Sequence, residues 1–230
     1  MLWQGFKTHQ TMTSDVIGLG DVESAFPNGV FPKEAIHEFL NAEPEHAAAC
    51  SGFISGLLKT LMLNEGVSVW ISTSRTFFPP SLSAFGVSPE RMIFIDAKAE
   101  KEVLWVMEQA LKCEGVAAVI AEIKEISIVQ SRRLQLAIES SKVTGFLLRN
   151  DPQKLGSNTC AARWKITPLP SELEDELPGV GFPRWQVDLL RVRNGNPGSW
   201  KLEWAANSFR AIAEKEKGAL VVKQSAGHYA

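Results

Sequence analysis

Four histidines (His9, His37, His46, His228), three cysteines (Cys50, Cys113, Cys160) and a carboxylate ending an apolar run (Glu122) are the residues of this 230-residue chain whose types could do chemistry. The histidines are scattered. His37 falls inside a predicted strand, where a hydrogen-bonded structural role outweighs that of a general base, and His46 opens a predicted helix. The cysteines are odd in number, far apart and without a C-x-x-C pair, so neither a disulfide framework nor a zinc site is expected, and a reducing cytoplasm suits them. Cys50 sits on the apolar stripe of its helix and reads as a packing residue. No serine stands in a G-x-S-x-G setting.

A strand over 35–40, a loop and a long helix to residue 64 form the place where an α/β nucleotide-binding protein carries its phosphate loop. Here the loop, residues 41–51, reads NAEPEHAAACS. Cradling phosphate requires glycines that let backbone N–H groups converge, a lysine for the terminal phosphates and a hydroxyl for magnesium. No glycine occurs between Asn41 and Gly52, no lysine between Asn41 and Lys59, and Glu43 and Glu45 would repel a polyphosphate. Both glutamates suit the helix dipole instead. ATPase activity and a bound cofactor are therefore not expected. Glu122 ends the strand over 116–121 where ATPases hold magnesium, but a lone carboxylate there reads as structural.

The elements that would position these residues alternate. Apolar strands are predicted over 35–40, 67–71, 92–95, 116–121 and 143–148, with helices over 46–64, 99–112 and 131–141 and a short Pro-initiated helix after Pro80. The strands are continuously apolar, as a parallel sheet covered on both faces requires. After Asn150 the pattern changes to strands over 161–166, 185–193 and 199–204, the last two joined through Asn194-Gly-Asn-Pro-Gly198 as a hairpin. Alternation puts Trp185, Val187, Leu189 and Arg191 on one hairpin face, and Trp200, Leu202 and Trp204 on one face of the other strand, where burial is expected. Residues 170–178 read as an acidic, solvated loop. The organisation is a lead-in (1–34), an α/β core (35–150), an antiparallel extension of the same domain (151–210) and a tail (211–230).

Composition excludes several classes. With 45% hydrophobic residues, 22% charged and a net charge of −2, the chain has no global field for nucleic acid or an anionic membrane, and no run of about 18 apolar residues to cross one. Residues 131–210 nonetheless carry twelve Lys/Arg against eight Asp/Glu, several beside tryptophans: Arg163-Trp164-Lys165, Arg184-Trp185, Trp200-Lys201. Arg184, Arg191, Arg193 and Lys201 are the candidate contacts to a partner's carboxylates or to DNA phosphates, Arg191 and Arg193 forming an i, i+2 pair beside the hairpin turn. Edge protection is the alternative reading of that pair.

Residues 18–38 resemble the lead-in of RecA-like proteins. Ser131-Arg-Arg-Leu-Gln-Leu-Ala-Ile-Glu-Ser, Gly145-Phe-Leu-Leu-Arg149, Ala161-Ala-Arg-Trp-Lys165 and residues 183–200 with Glu203-Trp204 are similar to the ImuA family of RecA-like and SulA-like accessory proteins. The resemblance runs over roughly residues 15–210. It implies a RecA-like α/β core with a largely parallel sheet, plus the C-terminal antiparallel hairpin. It also implies a cytoplasmic role in the damage-inducible (SOS) response, in translesion synthesis beside an ImuB-like protein and an error-prone polymerase subunit, with RecA or DNA as further partners. A SulA-like inhibitor of cell division that binds FtsZ is the alternative function. RecA's ATPase residues have no counterparts at 41–51 or at Ser72-Thr-Ser-Arg75 and are not carried over.

Overall fold

The computed structural model describes residues 16–63, 66–150, 155–172 and 180–212. Its strands form one nine-stranded sheet: β1 (Ile36–Asn41), β2 (Val67–Ser72), β3 (Met92–Asp96), β4 (Val116–Ile123), β5 (Thr144–Asn150), β6 (Ala162–Leu169), β7 (Arg184–Val192), β8 (Gly198–Ala205) and β9 (Ser208–Ala211), in the order β3-β2-β4-β5-β1-β6-β7-β8-β9. Pairing is parallel from β3 to β6 and antiparallel from β6 to β9. The helices are α1 (Pro44–Leu61), α2 (Glu100–Ala110) and α3 (Ile128–Ser141). The expected mixed fold, a largely parallel core flanked by helices with antiparallel C-terminal strands, is what the chain adopts.

Three details differ from the sequence reading. First, α3 begins at Ile128, three residues early, because Ser127 and Gln130 form a reciprocal capping box. Second, the Pro-initiated segment Pro79–Phe85 is a 3-10 turn, stopped by Gly86 at a φ of 72°. Third, β9 was not foreseen: its turn uses Ala206 and Asn207 at φ 49° and 60°, and an alanine in the left-handed region carries no turn signature. Most of the acidic 170–178 segment, and the tail from residue 213, lie outside the described residues.

Each face of the sheet has its own core. On one face, α1 presents Cys50, Phe53, Ile54, Leu57 and Leu58 to Phe39, Trp70, Phe146 and Trp164, joined by Ile17, Val22, Phe26 and Phe31 of the lead-in. The lead-in is thus core, and the buried Glu23 holds its bend by accepting from the N–H groups of Ile17, Gly18 and Leu19. The other face is closed by α2 and α3 through Val103, Met107, Leu134 and Ile138. Gly52 and Gly56 on α1 let the aromatics of the extension come close: a Cβ on Gly56 would stand 2.5 Å from Phe209 and 3.0 Å from Trp204.

His37 has the structural role expected of it. Its Nε2 donates to the Pro32 carbonyl at 2.8 Å, Nδ1 accepts from the Trp164 indole at 3.3 Å, and the ring stacks on Phe31 at 4.4 Å. Burial disfavours the imidazolium, and the pKa falls to about 4. Between pH 4 and 6.5 the unfolded chain therefore binds a proton that the folded chain does not. The predicted outcome is a stability complete above pH 6.5 that declines by about 3 kcal/mol as pH falls through 4. Urea unfolding at a series of pH values measures it, and His37→Gln should flatten that part of the profile.

Candidate functional site

The parallel strands end together at a crevice beside the N-terminus of α1, the switch-point position where open α/β sheets bind ligands. A cavity of about 710 Å³ opens there. Asn41, Glu122 and Asn150 form its floor, residues 42–52 of the loop and α1 one wall, and Phe77, Phe78, Phe85 and Trp185 the apolar remainder. Side chains at the strand ends are chained by hydrogen bonds. Trp70 Nε1 donates to Glu122 Oε1 at 2.8 Å, Asn150 Nδ2 to Glu122 Oε2 at 3.3 Å, and Asn41 Nδ2 to Asn150 Oδ1 at 2.9 Å. Burial pushes the Glu122 carboxyl above its ordinary pKa, against the two donors that lower it.

Among the described residues, those lining the cavity include Glu43 and Glu122 but no lysine, arginine or histidine. At the start of α1, Glu43 occupies the N-cap without a capping side-chain bond, and its carbonyl already accepts from the N–H groups of His46 and Ala47. Pro44 contributes no N–H. Among the described residues no cluster of three or more His, Cys, Asp or Glu is placed to hold a metal.

On the sheet's other face lies an ion network that sequence reading missed. Glu38, fully buried on β1, meets Arg149 Nη1 of β5 at 3.0 Å and Arg163 Nε of β6 at 2.6 Å. Arg149 Nε donates on to the Lys124 carbonyl and Arg163 Nη2 to that of Gly156. Glu38 inside the apolar run 35–40 was the available signal, since a buried charge needs a partner. Cys160 lies beside them, its thiol pushed up to about 12 by burial and by Glu38.

The structure brings Arg191 and Arg193 to one place but not in the predicted arrangement. The β6–β7 register slips between Arg163 and Trp164, so the buried positions of β7 run Trp185, Val187, Leu189 and then Val192. This corrects the expected alternation: Arg191 does not share the inner face with Leu189, because the bulge reverses the side-chain period. Arg191 clamps residues 158–160, donating to the Asn158 carbonyl at 3.0 Å, Asn158 Oδ1 at 2.5 Å and the Cys160 carbonyl at 3.1 Å. Arg193, exposed, donates to the Thr159 carbonyl. Arg184 is paired with Glu203 at 2.6 Å and Glu172 at 2.8 Å, and Lys201 is exposed on β8. As expected of their shared face, Trp204 is buried and Trp200 half-buried. Among the described residues no helix is long and apolar enough to cross a membrane.

Comparison with known proteins adds a family to this geometry. No family model matches the chain. Two relatives, each named Protein ImuA and coming from two strains of Caulobacter vibrioides, are 34% identical to it over 202 residues, which is 82% of this chain and 83% of theirs.

Proposed function

This chain belongs to the ImuA family, and from that premise we propose that it is a cytoplasmic accessory protein of damage-induced mutagenesis that works by binding other proteins rather than by ATP chemistry. Similarity over 82% of the chain carries the reading. Support for a non-catalytic role comes from the lining of the switch-point cavity, which offers carboxylates where nucleotide binding needs lysine and converging amides. The partners are an ImuB-like protein and an error-prone polymerase subunit, with RecA or DNA as further contacts, met through the C-terminal extension. In this reading Arg193 and Lys201 make the contact, while Arg184 and Arg191 shape the surface beside them.

In a strain lacking this gene, the mutation frequency after DNA damage should fall and be restored by the wild-type chain. Full mutation frequency without the gene would overturn the reading, and filamentous growth on overexpression would point to a division inhibitor instead. Arg193→Glu with Lys201→Glu leaves the Arg191 clamp and the Arg184 ion pairs in place. That variant should stay folded, yet fail to retain the ImuB-like protein in a pull-down with purified components. Calorimetry with ATP and magnesium should detect no binding tighter than about 1 mM; a micromolar constant would refute the non-nucleotide reading of the cavity.

A further inference from the structure

We infer that the cavity over the carboxyl ends of β1, β4 and β5 is a binding site for a guanidinium group, presented by an arginine on an extended segment of a partner polypeptide. Among the described residues the charge of the lining is of one sign, carried by Glu43 and Glu122. Four of its side-chain donors are already committed: Asn41 Nδ2 to Asn150, Asn150 Nδ2 to Glu122, Ser51 Oγ to the Ala47 carbonyl and Ser81 Oγ to the Phe78 carbonyl. Beside the hydroxyls of Ser74 and Thr76, which can donate or accept, it offers acceptor capacity in the carboxylates of Glu122 and Glu43 and in Asn41 Oδ1. Asn41 is only 2% exposed, and its Oδ1 has no hydrogen-bond partner. An orphaned buried acceptor is costly, and a donor entering the cavity recovers that cost.

Several donors on one planar cation suit this set better than a single ammonium. A guanidinium carries five N–H groups and is more weakly hydrated than an ammonium, which suits a cavity lined by Phe77, Phe78, Phe85 and Trp185. The positive end of α1 opposes a cation, and Glu43 at its N-cap with Glu45 in its first turn offsets that field. Size argues for a polypeptide source. At about 710 Å³ the cavity exceeds one arginine side chain and reaches the range that encloses drug-sized ligands, of order 300–1,000 Å³. Phe78 at the rim, 68% exposed, offers apolar contact to the residues flanking that arginine.

Calorimetry on the full chain tests this with four probes: acetyl-Leu-Arg-Leu-amide, its citrulline counterpart, agmatine, and ATP with magnesium. The arginine peptide should bind saturably, the neutral citrulline peptide at least about tenfold more weakly, and agmatine more weakly than the arginine peptide. Glu122→Gln should reduce arginine-peptide affinity by about tenfold or more, with Glu43→Gln at the open rim as the second variant should Glu122→Gln melt early. Any of four results would overturn the proposal: no arginine-peptide binding at millimolar concentration, equal binding of both peptides, agmatine binding as tightly as the peptide, or affinity unchanged in a folded Glu122→Gln or Glu43→Gln protein. These titrations use purified protein and are independent of the mutation frequencies that test the role in cells.

Discussion

Glu38→Ala should destabilise the protein by about 3 to 5 kcal/mol, seen as a lowered urea midpoint with an unchanged slope. The carboxylate is fully buried between Arg149, itself 2% exposed, and Arg163, and it is the acid both guanidinium groups meet. Removing it takes a buried carboxylate away from two guanidinium groups in a low-dielectric strand layer, a far larger penalty than the loss of a surface ion pair. Replacing Glu38, Arg149 and Arg163 together with apolar residues of similar volume should restore much of the stability, because the pair's own net contribution is small once desolvation is counted. A single Glu38→Ala variant with parental stability would mean that the network is open to water in solution.

Trp204→Ala is the second large effect, again about 3 to 5 kcal/mol. The indole is 5% exposed, its Nε1 donates to the Ala84 carbonyl at 3.1 Å, and its ring meets Phe209 edge-on at 4.9 Å and Phe85 at 5.5 Å. Truncation would empty the space that Gly56 of α1 leaves for this ring, and the extension would lose its seat on the core helix. Thermal melting and partner retention should fall together. A variant that melts like the parent but releases its partner would instead make Trp204 a binding residue.

The sequence by itself determined the fold class, because continuously apolar strands between helical stripes can be buried only as a parallel sheet covered on both faces. It also determined the hairpin through residues 194–198 and the lack of glycine and lysine in residues 41–51, which are local facts of composition. The family was legible in residues spread over most of the chain. Only the tertiary structure decided which distant residues meet. Glu38 finds partners 111 and 125 positions away because β1 lies between β5 and β6, an order that no local periodicity encodes. The cavity gathers its lining from β1, β4, β5, α1, the segment after β2 and the start of β7 for the same reason. Arg191 shows the same limit within a single strand: alternation placed it with Leu189, and one register slip against β6 turned it to the other face, since side-chain direction in a sheet is set by the pairing as well as by the sequence.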